Sequence, residues 1–387
     1  MTTNNLNILF LASWFPNKLI PKNGNFIQQH ALAVSKYCNV ACLHALSSNQ
    51  DQLFKIEENF NEGIYEVIIY YKKINSNIPI VSKYFKFRRQ IQAYKIGYKL
   101  IVNYLERIDL VHLNVMFPAG IFALYLKSKF KLPYIISENW TGFLPSDPVK
   151  IKQVEKFFIK FIMKFADVIC PVSKDLEEAL KSYYSRSKFE IVPNVVNTYI
   201  FNYKPHKKSK RILHVSNLNN EQKNITGILD TIALLCKDRS DFFITIAGDG
   251  DFKYFQKYAK KLNIPENLYL IEGAKSYSEV ASLMQSHDFF LLYSNFENLP
   301  CVIAESLVCG LPILSSKAGG TAEMVDDKSG VIIEPGNNLM LLKMLNFFLD
   351  NIDNYNNDQI SKNAIQKYSY EAVGKQFLNV YHSVLKK

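Results

Sequence analysis

Apolar runs of strand length alternate with longer amphipathic segments along nearly the whole of this chain, and the alternation restarts once. The strand candidates of the first half are NILFLAS (7–13), VACLHAL (40–46), YEVIIYY (65–71), LVHLNVM (110–116), YIISEN (134–139), DVICPVS (167–173) and FEIVPNV (189–195). Helical candidates fall between most of them, at 25–37, 82–107, 118–129, 148–165 and 174–184. Unbroken Val/Ile-rich strands joined by helices point to a parallel sheet covered on both faces. After a polar, basic stretch the pattern resumes with strands at 211–217, 242–248, 268–273, 289–294, 312–316 and 330–334. Their helices are 223–237, 252–263, 277–286, 300–309, 319–325, 338–350 and 355–367. This predicts an α/β protein of two Rossmann-like, doubly wound domains, 1–197 and 211–369, with a hinge linker at 198–210. The last helix, within 370–387, has no strand after it and is assigned to the first domain. A length of 387 residues exceeds what one hydrophobic core usually serves. Ligands of such sheets bind beyond the carboxyl ends of the strands. The cleft between the domains is therefore the expected site.

Composition narrows the class. With 48% hydrophobic and 21% charged residues the chain is globular, neither collagen-like nor low in complexity. Six cysteines form no C-x-x-C pair and read as reduced core residues of a cytosolic protein. The apolar run near the start lacks a basic segment before it and a cleavage pattern after it, so it reads as a first buried strand rather than a signal. No stretch approaches a membrane span. Of the net charge of +11, residues 1–200 carry +10. From Lys72 to Lys99 there is no acid, and eight basic residues interleave with Tyr84, Phe85, Phe87, Tyr94 and Tyr98. Such a segment suits an anionic membrane surface, a nucleic acid, or plain solvent as a lysine-rich helix face. The helix at 148–165 leaves the same choice open: Phe157, Phe158, Phe161 and Phe165 read as core or as a membrane face, with Lys150, Lys152, Lys156, Lys160 and Lys164 on the other side.

The segment NFENLPCVIAESLVCGLPI (295–313) carries two glutamates eight residues apart among apolar neighbours. Asn298 is a candidate helix cap and Pro300 suits a first turn, where its missing N–H costs nothing. Glu297 then lies on a loop at a strand's carboxyl end, and Glu305 about one and a half turns into the helix. A helix N-terminus favours phosphate, whereas carboxylates accept hydrogen bonds from sugar and ribose hydroxyls. Taken bare, the pair is equally a helix-dipole glutamate and a structural hydrogen bond.

The context is longer. Ser294, Glu297, Pro300, Glu305, Gly310, Pro312, Gly319, Gly320 and Glu323 together resemble the E-x7-E signature of retaining glycosyltransferases of family 4, which have the GT-B fold. PNKLIPKNGNFIQQHALAVSK (16–36), IVPNVVN (191–197), HVSNLNNEQKNITGIL (214–229) and IAGDGD (246–251) resemble further family segments. The resemblance implies an acceptor-side first domain and a second domain that binds the nucleotide sugar. It implies that Lys223 neutralises the donor diphosphate, Glu297 touches the transferred sugar, Glu305 holds the ribose and Gly24 belongs to a loop closing over the phosphates. Backbone N–H groups at Gly319–Thr321, or those of Asn298 and Leu299, would cradle phosphate or sugar oxygens, and backbone near Ala274 and Lys275 would meet the base. Two positions depart from the pattern. Asn217 stands where the family has an arginine, and Asn139 where it often has a histidine near the transferred sugar; an amide cannot titrate near neutral pH.

Among other candidates, Asp249 and Asp251 of GDGD read as loop and cap residues rather than a metal pair, His30 could face the cleft, and His112 reads as a satisfied core residue. No metal and no cofactor are expected. The sequence thus predicts a metal-independent retaining transferase acting from a nucleotide-diphosphate sugar on a glycan or lipid-linked acceptor in cell-surface polysaccharide assembly. It would be cytoplasmic or peripheral on the inner membrane face and would not bind nucleic acid. A silent sugar-nucleotide or membrane-binding module and a GT-B-fold epimerase are the alternatives.

Overall fold

A computed structural model describes residues 6–74 and 79–386. Residues 1–5 of the N-terminal reading, 75–78 of the basic segment, and Lys387 lie outside the described residues. The first half builds one sheet of seven strands in the order β3-β4-β2-β1-β5-β6-β7. They are β1 (Asn7–Ala12), β2 (Asn39–Ser48), β3 (Phe54–Asn61), β4 (Ile64–Lys72), β5 (Leu110–Asn114), β6 (Tyr134–Glu138) and β7 (Val168–Pro171). Every neighbouring pair is parallel except β3 with β4.

Strand β3 was not foreseen. Its sequence FKIEENFN is too polar to read as a buried strand, and as an edge strand it leaves Ile56 and Phe60 exposed. The two-residue loop Glu62–Gly63 has positive φ at both positions, the geometry of a tight hairpin whose twist matches its strands. Conversely, the extended run at 189–195 is not a ladder strand. It makes one isolated bridge, Ile169 to Phe189, and Pro193 has no N–H to donate.

One face of this sheet is covered by α2 (Pro79–Leu105), α3 (Gly120–Phe130) and α4 (Gln153–Phe165), whose Tyr94, Phe122 and Ile162 share a core with Leu9, Leu43 and Val111. The other is covered by α1 (Asn25–Ser35) and by the last helix, α13 (Tyr370–Leu385), through Ala31, Val34, Val373 and Phe377 against Ile8 and Phe10. A Cβ at Gly374 would come within 2.2 Å of the Ala33 carbonyl, so α1 and α13 can meet this closely only with glycine there. Helix α5 (Lys174–Lys181) follows β7.

The second half is a wholly parallel sheet of six strands in the order β10-β9-β8-β11-β12-β13. These are β8 (Arg211–Ser216), β9 (Phe243–Gly248), β10 (Tyr269–Glu272), β11 (Phe289–Leu292), β12 (Ile313–Ser316) and β13 (Gly330–Ile333). The expected helix 223–237 is α7 (Ile225–Leu235), preceded by a separate short helix, α6 (Asn220–Lys223). They are separated by Asn224, left-handed at φ 50°, whose side chain caps α7. The remaining helices are α8 (Phe252–Lys261), α9 (Tyr277–Met284), α10 (Cys301–Val308), α11 (Asn338–Asn351) and α12 (Asn357–Tyr368). The expected helix at 319–325 is a 3-10 turn over Gly319–Glu323.

The chain crosses between halves through 196–210 and returns at Ser369. The crossings run side by side, with the Val196 N–H donating to the Tyr368 carbonyl at 2.8 Å. The linker is less solvated than its composition suggests, because Val196 and Phe201 are buried.

Candidate active site

The loop between β11 and α10 is held from three sides. Asn295 donates its backbone N–H to the Gln222 carbonyl at 2.8 Å and its side chain to the Glu221 carbonyl at 2.8 Å, so α6 is strapped to the loop. Ser316 Oγ donates to the Ser294 carbonyl at 2.5 Å. Below lies the Gly319–Gly320 pair. A Cβ at Gly319, where φ is +55°, would sit 2.1 Å from the Glu297 carbonyl oxygen. The loop backbone therefore occupies the volume a side chain would need.

That frame presents the Glu297 carboxylate, which is 6% exposed, to Lys223 Nζ, which is 10% exposed, as a direct ion pair. Ser294 Oγ donates to the same carboxylate oxygen at 2.7 Å. Lys223 ends α6, one residue before the cap of α7, rather than starting a helix. Its ammonium still reaches the loop that follows β11. Asn298 does not cap α10: Pro300 holds that position without a side-chain bond. The Asn298 amide instead donates to the Asn139 carbonyl at 2.7 Å, and its Oδ1 accepts from Ser173 Oγ at 3.3 Å.

Of the N–H groups expected to cradle oxygens, two are already used. Gly320 donates to the Asn298 carbonyl at 2.7 Å and Thr321 to that of Ala318 at 3.3 Å. The glycine pair therefore shapes the loop. The N–H groups of Asn298 and Leu299 find no acceptor among the described residues.

Asn139 follows β6 and faces this loop from the first half. Its Nδ2 donates to Asn194 Oδ1 at 2.7 Å, and Asn194 Nδ2 donates to the Leu299 carbonyl at 2.9 Å. Three asparagines thus stitch the halves together at the candidate site. The backbone around Asn139 is positioned by Glu138, which is fully buried and accepts N–H bonds from Met116 at 2.8 Å, Asn139 at 3.0 Å and Trp140 at 2.9 Å. Burial raises the Glu138 carboxyl to about 7, against the pull of those three donors. Sequence reading missed Glu138 and Asn194. Their signal was an acid closing an apolar strand in SENW and an asparagine after proline in VPNV.

Glu305, half-buried, lines a cavity of about 230 Å3 between the halves, with Gly24, Asn25 and Lys22 from the first and Tyr277 and Cys301 from the second. No donor among the described residues bonds its carboxylate, and burial raises it to about 7. Gly24 precedes α1 with φ +69°, and a Cβ there would meet the Trp14 backbone at 2.8 Å. Opposite, Lys22 pairs with Asp249 at 3.1 Å across the cleft, while Asp251 caps α8.

The structure therefore brings Glu297, Lys223, Asn298, Leu299 and Asn139 into one bonded cluster, and Glu305 and Gly24 into one cavity. Ala274 is exposed and Lys275 is paired with Glu272, on the turn from β10 to Tyr277. Asn217 stands apart, exposed, its side chain accepting the Asn219 N–H at 3.2 Å. His30 does not face the cleft. It is fully buried, its Nε2 lies 3.2 Å from the Pro193 carbonyl, and burial lowers it to about 4. His112 is a core residue bonded to Tyr381 and Ser137 at 2.7 Å. Glu323 ties the halves behind the loop, accepting the Lys174 and Asp175 N–H groups at the start of α5 at 2.8 and 3.0 Å. A roomier cavity of about 790 Å3, between 322–329 and helices α11 and α12, holds neither Glu297 nor Glu305, so size alone does not locate this chemistry.

Two Rossmann-like domains with polar groups gathered at the facing strand ends define a GT-B glycosyltransferase, a transferase of class EC 2.4. Residues 196–367 match the model of glycosyl transferases group 1, and residues 43–199 that of glycosyltransferase family 4. The chain belongs to the group 1 glycosyl transferases. It is 30% identical over 277 residues to an uncharacterized glycosyltransferase of Methanocaldococcus jannaschii, covering 70% of this chain and 74% of that protein. Among solved structures it is similar to Anabaena HepE in complex with UDP and glucose, with TM-score 0.71 and 15% identity over 98% of this chain and 100% of that one. It is also similar to the lipopolysaccharide outer core galactosyltransferase WaaB, with TM-score 0.68 and 19% identity over 98% and 99%. At these identities the solved structures speak for the fold.

Proposed function

We propose that this glycosyltransferase retains anomeric configuration and moves a sugar from a nucleotide-diphosphate sugar to a hydroxyl of a glycan or lipid-linked acceptor in cell-surface polysaccharide assembly. The observation that carries the reading is the buried Glu297–Lys223–Ser294 constellation beside two unused N–H groups, with the unpartnered Glu305 one cavity away. On this reading the domains are 1–197 with the C-terminal helix, on the acceptor side, and 211–369, on the donor side.

The chemistry follows from what each group can do. Lys223 turns part of its charge from Glu297 to the donor diphosphate, and the Asn298 and Leu299 N–H groups add two donors toward phosphate or sugar oxygens. The freed Glu297 carboxylate accepts from hydroxyls of the transferred sugar. Glu305 accepts from the two ribose hydroxyls, which gives its half-buried carboxylate the donors it lacks. The segment Ala274–Lys275 meets the base. Gly24, lacking a side chain, lets backbone approach the phosphates. In the transfer, the bond from C1 to the diphosphate oxygen breaks and the acceptor oxygen bonds C1 on the same face. The acceptor proton passes to the departing phosphate, so no titrating residue is needed at Asn139, whose amide bonds a sugar hydroxyl once released from Asn194. No metal or cofactor takes part. Similarity to a fold solved with UDP and glucose, and to one named for lipopolysaccharide, supports the substrate class.

The test is release of UDP or GDP from a panel of donors, with and without chelator, and the anomeric configuration of the product by NMR. Release that survives both Glu297→Ala and Lys223→Ala, or a product of inverted configuration, overturns the reading.

A further inference from the structure

We infer that α4 is a docking element for an anionic lipid bilayer, with its outer phenylalanines in the interface and a lysine-lined groove beside it for lipid phosphate. The inference rests on the acceptor reading above, because it names the surface from which a lipid-linked acceptor would be taken.

The argument begins with how α4 is seated. Ile159, Ile162 and Met163 are buried, and a Cβ at Gly120 would meet the Ile162 side chain at 2.7 Å, so α3 and α4 lock at close range. That seating turns Val154, Phe157, Phe161 and Phe165 outward in one stripe, at 68%, 59%, 41% and 42% exposure. Their spacing of three or four residues keeps them on one side of the helix. The rings of Phe157 and Phe161 lie 5.0 Å apart and those of Phe161 and Phe165 6.0 Å apart, forming a continuous apolar ridge. A soluble surface rarely carries such a ridge without a partner.

Charge indicates the partner. Helices α2, α3 and α4, which share one face of the sheet, contain eleven lysines and arginines and a single acid, Glu155. That carboxylate is already engaged, accepting the Lys152 N–H at the start of α4. Lys156 and Lys160 line a groove of about 720 Å3 with Lys150 and one carboxylate, Asp147, which accepts the Val149 N–H at 2.8 Å; its far wall is Gly142–Leu144, the turn that follows Asn139. The groove thus joins the lysine side of α4 to the turn that follows Asn139. A cationic rim around exposed aromatic rings matches an anionic interface, where rings enter the acyl boundary and lysines stay among the headgroups. A second copy fits poorly, since a two-fold contact on this ridge would set the lysine rows against each other. Nucleic acid would use the lysines but leave the ridge in water.

The test is flotation of the full chain with phosphatidylglycerol–phosphatidylcholine vesicles and with phosphatidylcholine vesicles alone, at low and high salt. Wild type floats with the anionic vesicles at low salt and not with the neutral ones. Phe157→Ser with Phe161→Ser lowers the partition coefficient roughly ten-fold or more. Lys150→Gln, Lys156→Gln and Lys160→Gln lower it roughly five-fold each. Unchanged melting temperatures show that the variants fold. Absence of wild-type flotation on anionic vesicles overturns the inference, as does flotation indifferent to the phenylalanine pair. So does a duplex-DNA affinity or a self-association that replaces vesicle binding. Nucleotide release from the donor, measured on the same samples, reports on the transferase reading separately: it can fail while flotation succeeds, and the reverse.

Discussion

The loop before α10 and the cavity beside its second turn each hold a carboxylate in apolar surroundings, and they handle it in opposite ways. Glu297 is satisfied from within, by Lys223 and Ser294, on a backbone that Gly319 leaves room for. Glu305 has no such partner among the described residues and keeps a raised proton affinity. A buried ion pair is costly to break from one side, because the survivor stays charged and dry. An unpartnered half-buried carboxylate is costly to keep, and its removal relieves the fold. One region is thus stable before ligand arrives, and the other bears a cost that a ligand can remove.

The sharpest way to break this contrast is Glu297→Ala. It strands Lys223, and we expect a loss of about 3–5 kcal/mol in stability and roughly a hundred- to thousand-fold in kcat, read by denaturant melts and donor turnover. Adding Lys223→Met should restore most of the stability and none of the activity. A single variant as stable as wild type would show that the pair is not the anchor.

Gly319→Ala comes next. Its new Cβ meets the Glu297 carbonyl in a left-handed backbone, so a loss of about 1–3 kcal/mol is expected, with kcat falling although no ligating group has changed.

Glu305→Gln tests the other side. Between its ordinary value of 4.5 and the raised value of about 7, the folded chain holds a proton that the unfolded chain has released, so wild-type stability falls as pH rises through that window. The variant should therefore melt higher than wild type above pH 7, with the gap closing as pH drops toward 4.5. Glu138 contributes a slope of the same sign in both proteins. Thermal protection by a nucleotide diphosphate should weaken in the variant. A wild type that melts higher than the variant at alkaline pH would mean that Glu305 has a partner after all.

The smallest effect belongs to Glu323→Ala, behind the loop. It removes the acceptor that the other domain gives to the first two N–H groups of α5, which Ser173 still caps, at about 1 kcal/mol, and should leave kcat and donor KM unchanged.

Much of the fold was legible because its signals are local. The β/α alternation and the helices beginning at Asn25 and Cys301 follow from periodicity and from Gly and Pro punctuation. The misses share a cause. Strand β3 gains its place from pairing with β4, not from its own polar residues. The run at 189–195 has strand composition and lies along the open edge of β7, but its pairing there ends after one bridge, where Pro193 has no N–H to give. Asn224 parts the short α6 from α7 through one left-handed residue that composition cannot reveal. At the site, Glu297, Glu305, Lys223 and Gly24 stood out by motif, whereas Glu138 and Asn194 became visible only through the bonds they make.

By itself the sequence determined the β/α alternation, its restart in the second half and the residue types available at the strand ends, since these depend on neighbours a few positions apart. Tertiary structure alone decided the partnerships. Lys223 meets Glu297 across 74 positions, Asn194 meets Leu299 across 105, and His30 is turned into the core instead of the cleft. Hydrophobic patterning settles which side of an element is buried, but which polar groups then face one another is fixed only when distant strand ends converge.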